Sequence, residues 1–219
     1  SRLYSAGALS VEECLPSGAS SIRWTLEAIS PSTNEEIVGV LSDTGGGSSL
    51  DFLRNVGAGW ALDFSSAAIP SANTVQRGYD IEYEALSSDA MVVYSDNTVN
   101  PVYRTRVGGV WSGPAAVFGA APGTGAVLWV ELARRTASNE VALVYAAANS
   151  DLFAVVWPGA AWDTANAVTL STAIDNVNQR VFDVAYESVS GDLLVVWARA
   201  GVGVLGEFSV KLAGQVNFT

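Results

Sequence analysis

One spacing governs this chain of 219 residues: a short motif returns every fifty-odd positions. Its fullest copy is Tyr79-Asp80-Ile81-Glu82-Tyr83-Glu84, followed by Ser88-Asp89-Ala90-Met91-Val92-Val93-Tyr94. Phe182-Asp183-Val184-Ala185-Tyr186-Glu187 and Gly191-Asp192-Leu193-Leu194-Val195-Val196-Trp197 repeat it with the same internal spacing. Weaker copies are Trp129-Val130-Glu131-Leu132 with Asn139-Glu140-Val141-Ala142-Leu143-Val144-Tyr145, and a stretch from Trp24 to Leu41. Leu41, Tyr94, Tyr145 and Trp197 follow one another at intervals of 53, 51 and 52 residues. Trp60, Trp111 and Trp162 form a second series with intervals of 51 and 51.

A period of this length filled with several short strands is the signature of a propeller blade, and four periods fill the chain. The fold class expected is therefore all-β: a four-bladed β-propeller built from four repeats. The blades are placed at residues 21–75, 76–125, 126–178 and 179–219, forming one domain, with residues 1–20 outside them. In the first blade the strands are expected at 22–29, 37–41, 50–56 and 60–64. In the second they fall at 79–85, 91–94, 102–107 and 110–117, with Gly108-Gly109 as a hairpin turn. In the third, the strand over 152–157 turns at Pro158-Gly159 into a strand carrying Trp162.

The last repeat breaks this pattern. Position 213, one period beyond Trp162, is alanine, so the fourth blade lacks its outer strand, while residues 3–9 form a spare one. That strand, with Leu3, Tyr4 and Leu9, is expected either to close its own ring or to complete the blade of a neighbouring molecule. Exchange of the second kind makes a filament unless the rotation closes. Cys14, the single cysteine, is read as a buried thiol or as a covalent link to a neighbour.

Composition excludes several functions. With 22 acidic against 11 basic residues the net charge is −11, the wrong sign for nucleic acid. There is no histidine, which removes triads of the Ser-His-Asp type and the commonest metal ligand. No cofactor or metal is expected, and no apolar stretch approaches the length that spans a membrane as a helix. The chain begins at Ser1, as expected of a mature product whose leader is gone or of a trimmed chain.

Three repeated features are candidate sites. Trp60, Trp111 and Trp162 follow glycine-containing turns and are read either as platforms for sugars or as packing between sheets. Arg23, Arg77 and Arg180 each precede an innermost strand, where they could meet around one mouth and hold a carboxylate or sulfate. Asp80 and Asp183 lie beside two of them, which makes internal ion pairing the other reading. Glu36, Asp89, Glu140 and Asp192 share one repeat position before each second strand, as turn-forming acids.

In these residues, and most fully in the copy that runs on through Tyr103-Arg104-Thr105-Arg106 to Val110-Trp111-Ser112-Gly113, the chain resembles blade repeats of secreted bacterial β-propeller proteins. Those are broadly similar to sialidase-like and lectin propellers. The sialidase Asp-box is absent, Ser42-Asp43-Thr44-Gly45 being only an echo of it, so no catalytic residue is carried over. The function expected is a non-enzymatic structural or adhesive propeller, outside the cell or on its surface, able to assemble with itself. The alternative is a carbohydrate-binding propeller that uses the tryptophans and the axial arginines. A glycoside-active enzyme is the third class.

Overall fold

The computed structural model describes residues 4–5, 8–9, 15, 21–43, 47–55, 59–69, 76–201, 206–215 and 217–218. Two short strands, β1 (Tyr4–Ser5) and β2 (Ala8–Leu9), pair with each other. The first sheet is β3 (Ser21–Ile29), β4 (Glu36–Asp43), β5 (Ser48–Asn55) and β6 (Trp60–Ile69). The second is β7 (Tyr79–Tyr83), β8 (Ala90–Tyr94) and β9 (Val102–Val107), with β10 (Val110–Trp111) and β11 (Ala115–Ala116) both on β9. The third comprises β12 (Val127–Arg134), β13 (Val141–Ala147), β14 (Leu152–Trp157) and β15 (Val168–Ser171). The fourth has β16 (Phe182–Tyr186), β17 (Leu193–Ala198) and β18 (Gly206–Lys211). All pairings are antiparallel, and apart from β11, which returns to β9, the strand order in every sheet follows the chain. No helix among the described residues is long and apolar enough to cross a membrane.

Local chemistry explains the turns. Gly108 and Gly109 have φ of 56° and 88°, as a two-residue hairpin loop with the primed twist requires, and Val107 pairs with Val110 across it. The expected strand over 110–117 is broken into β10 and β11. Gly113-Pro114 lies between them, and proline has no N–H for the ladder. Trp162 is not on a strand: β14 ends before Pro158-Gly159, and a 3-10 turn at Thr164–Asn166 precedes β15. Burial of the indole beside Trp157 and Tyr103 holds that segment out of the ladder. The single strand expected over residues 3–9 is instead the β1–β2 pair, a local contact that closes a far shorter loop than pairing with the fourth sheet would. Leu3 and Cys14 lie outside the described residues, as do the side chains of Tyr4 and Leu9.

The sheets pack face to face in chain order. Leu41, Leu50 and Phe52 of the first meet Tyr79, Ile81 and Tyr94 of the second. Met91 and Val93 meet Leu143, Tyr145 and Phe153 of the third. Val144 and Ala154 meet Phe182, Val195 and Trp197 of the fourth. Second strands are thus covered on both sides, which is why β8 and β13 are buried at every position and read as unbroken apolar runs. Their inner strands also follow one another, β3 against β7, β7 against β12 and β12 against β16. Among the described residues β16 and β3 make no comparable contact.

One repeat marker is displaced. Tyr94, Tyr145 and Trp197 each face the preceding sheet, whereas Leu41 faces the following one, as Val93 and Val144 do. Successive strand residues point to opposite faces, so a one-residue offset in alignment exchanges them. The first hairpin is longer than the others, with eight residues in β4 against five in β8. At the start of β4 the offset runs the other way: Glu35, not Glu36, occupies the turn position of Asp89, Glu140 and Asp192. Ser30 N–H donates to Glu35 O as Glu84 N–H does to Asp89 O.

Gly39 marks the tightest approach of the first two sheets. The Tyr79 hydroxyl donates to its carbonyl oxygen at 2.8 Å, and a Cβ at Gly39 would lie 2.5 Å from the Tyr79 ring. Gly39→Ala is therefore expected to cost about 1–3 kcal/mol through overpacking. Urea denaturation should show this as a lowered midpoint, and Tyr79→Leu in the same chain should recover part of it.

Candidate functional site

Each of the last three sheets opens with the same turn, built by a serine and an acid two residues later. Asp89 N–H donates to Ser87 Oγ, Glu140 N–H to Ser138 Oγ and Asp192 N–H to Ser190 Oγ, each at 3.1 Å. Thr33 does the same for Glu35 at 3.2 Å. This hydroxyl-to-backbone bond is a common turn device. It places an acid at the same end of every sheet, at the mouth of the crevice between neighbours.

The three crevices are variations on one pattern. Between the first two sheets, the Tyr83 hydroxyl and the Arg106 guanidinium both donate to Glu35. Between the last two, the Tyr186 hydroxyl donates to Glu140 at 2.8 Å, and Lys211 lies 3.7 Å from the same carboxylate. Burial, helped by the neighbouring carboxylates, pushes both phenols well above the usual tyrosine range, so they remain donors. Between the second and third sheets Trp157 takes the basic residue's place, its indole N–H donating to Glu84 Oε1 at 2.7 Å. Ser87 holds the other oxygen of that carboxylate.

Here no cation fills the mouth, and a cleft of about 240 Å³ opens. Glu84 and Asp89 form one wall, Thr105 and Val107 another, and Trp157 with Gly159-Ala160 the far side. The corresponding space between the third and fourth sheets, about 210 Å³, is lined by Arg135, Glu140, Asp163 and Lys211. The first cleft thus offers acceptors and a hydroxyl beside an indole edge, and the second a mixed-charge surface. Among the described residues no group of three or more candidate metal ligands stands together.

The axial arginines separate. Arg77 is buried and donates to Glu131 and to the Val130 carbonyl oxygen, with Asp80 3.8 Å away. Arg180 donates to the same Glu131 oxygen at 2.6 Å. Arg23 stands apart, paired at 3.0 Å with Asp43. Two of the three therefore converge, on a carboxylate supplied by the protein. Asp80 accepts from the N–H groups of Ile81 and Leu132, both at 2.7 Å. Burial raises its pKa, against the pull of Arg77 and with the push of Glu131. Near this cluster Trp24 and Trp129 meet edge to face, ring centres 6.0 Å apart.

The repeated tryptophans lie within the packing. Trp162 is 8% exposed and set edge to face against Trp157 and Tyr103. Trp111, half-buried, packs on Phe64 and donates to Asp63 at 2.8 Å. Trp60, also half-buried, lies against Val38, Val40 and Leu53. The sequence reading missed Glu84 and Trp157 as partners, because they are 73 residues apart and meet only when two sheets pack. The recurring Ser-x-acid turn was visible in the sequence and would have pointed to the crevices.

No family model matches this sequence, and no curated protein is similar to it. Solved structures do match. A variant of the Aleuria aurantia lectin in complex with alpha-methyl-L-fucoside is 13% identical, with a TM-score of 0.57 over 89% of this chain and 59% of that one. The fungal lectin from Aleuria aurantia described as a six-bladed β-propeller is 12% identical, with a TM-score of 0.54 over 87% of this chain and 58% of that one. An alpha-L-arabinofuranosidase from Podospora anserina is 14% identical, with a TM-score of 0.49 over 89% and 64%. This chain spans under two thirds of the length of each. The likeness is one of fold: an all-β protein of propeller type.

The axial cluster gives a clear contrast in stability. Glu131→Ala leaves the buried Arg77 charge with only Asp80, 3.8 Å away, and is expected to cost about 3 kcal/mol. Arg23→Ala removes an exposed pair and is expected to cost under about 1 kcal/mol. Thermal or urea denaturation of the two variants side by side checks both values.

Proposed function

We propose that this chain is a non-enzymatic, carbohydrate-binding propeller of the lectin kind, acting outside the cell or at its surface. Its principal sugar site would be the cleft between the second and third sheets. One observation carries this reading: the cleft brings Glu84, Asp89 and Thr105 beside the Trp157 indole, with room for about one sugar ring. Sugars present hydroxyl donors at their rims and apolar C–H faces, so acceptors next to an aromatic edge match them. A neutral ligand also suits a protein of net charge −11 better than an anion does. The solved propellers of like fold include a lectin in complex with a fucoside, which supports the reading at the level of fold.

The self-assembling alternative, in which the N-terminal strand completes a neighbour's fourth sheet, is less well supported. That segment's two described strands pair with each other inside one chain.

A glycan array followed by calorimetric titration tests the site. Asp89→Ala and Thr105→Ala are each expected to weaken binding of the retained glycan about tenfold, roughly 1.4 kcal/mol, with the thermal midpoint nearly unchanged. Retention of no glycan at millimolar concentration, or full binding by both variants, would overturn the assignment. Hydrolysis of the bound glycoside would overturn its non-enzymatic part.

A further inference from the structure

The fourth sheet ends the series with a face that no other sheet covers among the described residues. On the first three sheets one cross-strand pair faces forward and is covered by the next sheet: Leu41 with Leu50, Val93 with Tyr103, Val144 with Ala154. The same pair on the fourth is Val196 with Phe208. These two are 40% and 70% exposed, and Leu194 beside them is 42% exposed. β17 consequently alternates buried and exposed, where β8 and β13 are buried throughout.

Its inner strand also carries a spare backbone clamp. In the second sheet, the Arg77 carbonyl oxygen accepts from Val130 N–H at 3.3 Å, and Asp80 Oδ2 accepts from Leu132 N–H at 2.7 Å. Both donors belong to the next sheet's inner strand. Arg180 and Asp183 repeat Arg77 and Asp80 at the same spacing. Asp183 Oδ1 accepts from the following N–H, that of Val184 at 2.9 Å, as Asp80 Oδ1 accepts from Ile81. Asp183 itself is exposed. An open apolar hollow of about 380 Å³ lies here, bounded by Arg180, Phe182, Asp183 and Val196.

We infer that the forward face of the fourth sheet, Leu194, Val196 and Phe208 with the Arg180–Asp183 clamp, is a docking surface for one further sheet of this same repeat. That sheet would be seated with its rear face inward, continuing the interfaces the first three sheets already make. The rear face of the first sheet does not fill the place, since among the described residues β3 and β16 make no contact comparable to those between the other inner strands, and Leu15 lies on Val38, Val40 and Leu53 there. The six-bladed lectin of like fold has sheets beyond the 58% of its length matched here. Seating such a sheet would also wall a new cleft at Glu187 and Asp192, which stand where Glu84 and Asp89 stand in the second sheet. That consequence alone rests on the carbohydrate reading.

Thiol labelling tests the surface independently of any sugar. Val196→Cys, in a chain with Cys14→Ser, is labelled with a maleimide in the 219-residue protein and in one extended after Thr219 by a copy of residues 126–178. That repeat is chosen because its rear face already covers Met91 and Val93. Labelling should be fast in the first and about tenfold or more slower in the second, while a Val189→Cys control stays fast in both. An appended repeat that leaves labelling fast, or that gains no strand structure by circular dichroism, overturns the proposal. So does slow labelling of the 219-residue protein itself: in a monomer by light scattering the chain covers its own face, and in a dimer a second copy does. Phe208→Lys gives a second reading on the unextended protein. It should keep the thermal midpoint within about 2 °C, as surface changes do, and bind less hydrophobic dye. A drop of about 5 °C or more would mean the face is already packed, and would overturn the proposal.

Discussion

Everything in this molecule depends on the burial of one sheet's face against the next. Ion pairs such as Arg106–Glu35 and Lys211–Glu140 join the sheets at their rims, and apolar side chains on β4, β8, β13 and β14 carry the load from both sides. A fully buried valine or leucine contributes about 1.5–3 kcal/mol relative to exposure, and the three interfaces contain many. Hydrogen bonds between sheets are specific, such as Tyr79 to Gly39 and Leu132 N–H to Asp80. They set how neighbouring sheets align, while the apolar area supplies most of the free energy.

This division of labour explains where function can sit. The middle of each interface is filled by buried apolar side chains, and at the inner rim Arg77 and Arg180 both bond Glu131. At the turn end the Ser-x-acid turns leave carboxylates, and neighbouring turns also bond one another, Ala85 N–H donating to the Ser138 carbonyl oxygen. A base or a tyrosine from the next sheet neutralises the acid in two crevices. In the middle one the turn acid is Asp89, the Trp157 indole N–H donates to Glu84 instead, and the space stays open. Two positions of the repeat differ there: Trp157 stands where Arg106 and Lys211 stand in the adjoining sheets, and Arg134 where Tyr83 and Tyr186 stand.

The period and the division of each repeat into short antiparallel strands were legible from the chain. So was the choice facing each candidate residue: Arg77 and Asp80 were read as either anion site or ion pair, and the structure places them within 3.8 Å. The faces of the first sheet were not legible. Leu41 aligns with Tyr94 by its neighbours Ser42-Asp43 and Ser95-Asp96, yet it points the other way. Sequence similarity rewards the matching tail of a hairpin, and cannot see that β4 is longer than β8 and so reaches that tail in the opposite phase. Trp162 misled in a similar way. Its spacing matches Trp60 and Trp111, but a bulky indole near a well of aromatic rings gains more from burial than from a place in the ladder.

The sequence by itself determined the architecture of repeated antiparallel sheets, because strand periodicity, glycine turns and a fixed period are local properties that each segment carries alone. It also determined what chemistry is missing, since no fold can supply a histidine the chain lacks. Tertiary structure decided which face of each sheet meets a neighbour, which acids are neutralised, and that Glu84 and Trp157 share a cleft. Those outcomes depend on contacts between residues fifty to seventy positions apart, where a shift of one residue in a strand exchanges inside for outside. The exposed Val196–Phe208 pair belongs to the same category: its sequence matches the buried pairs, and only the arrangement of the four sheets leaves it uncovered.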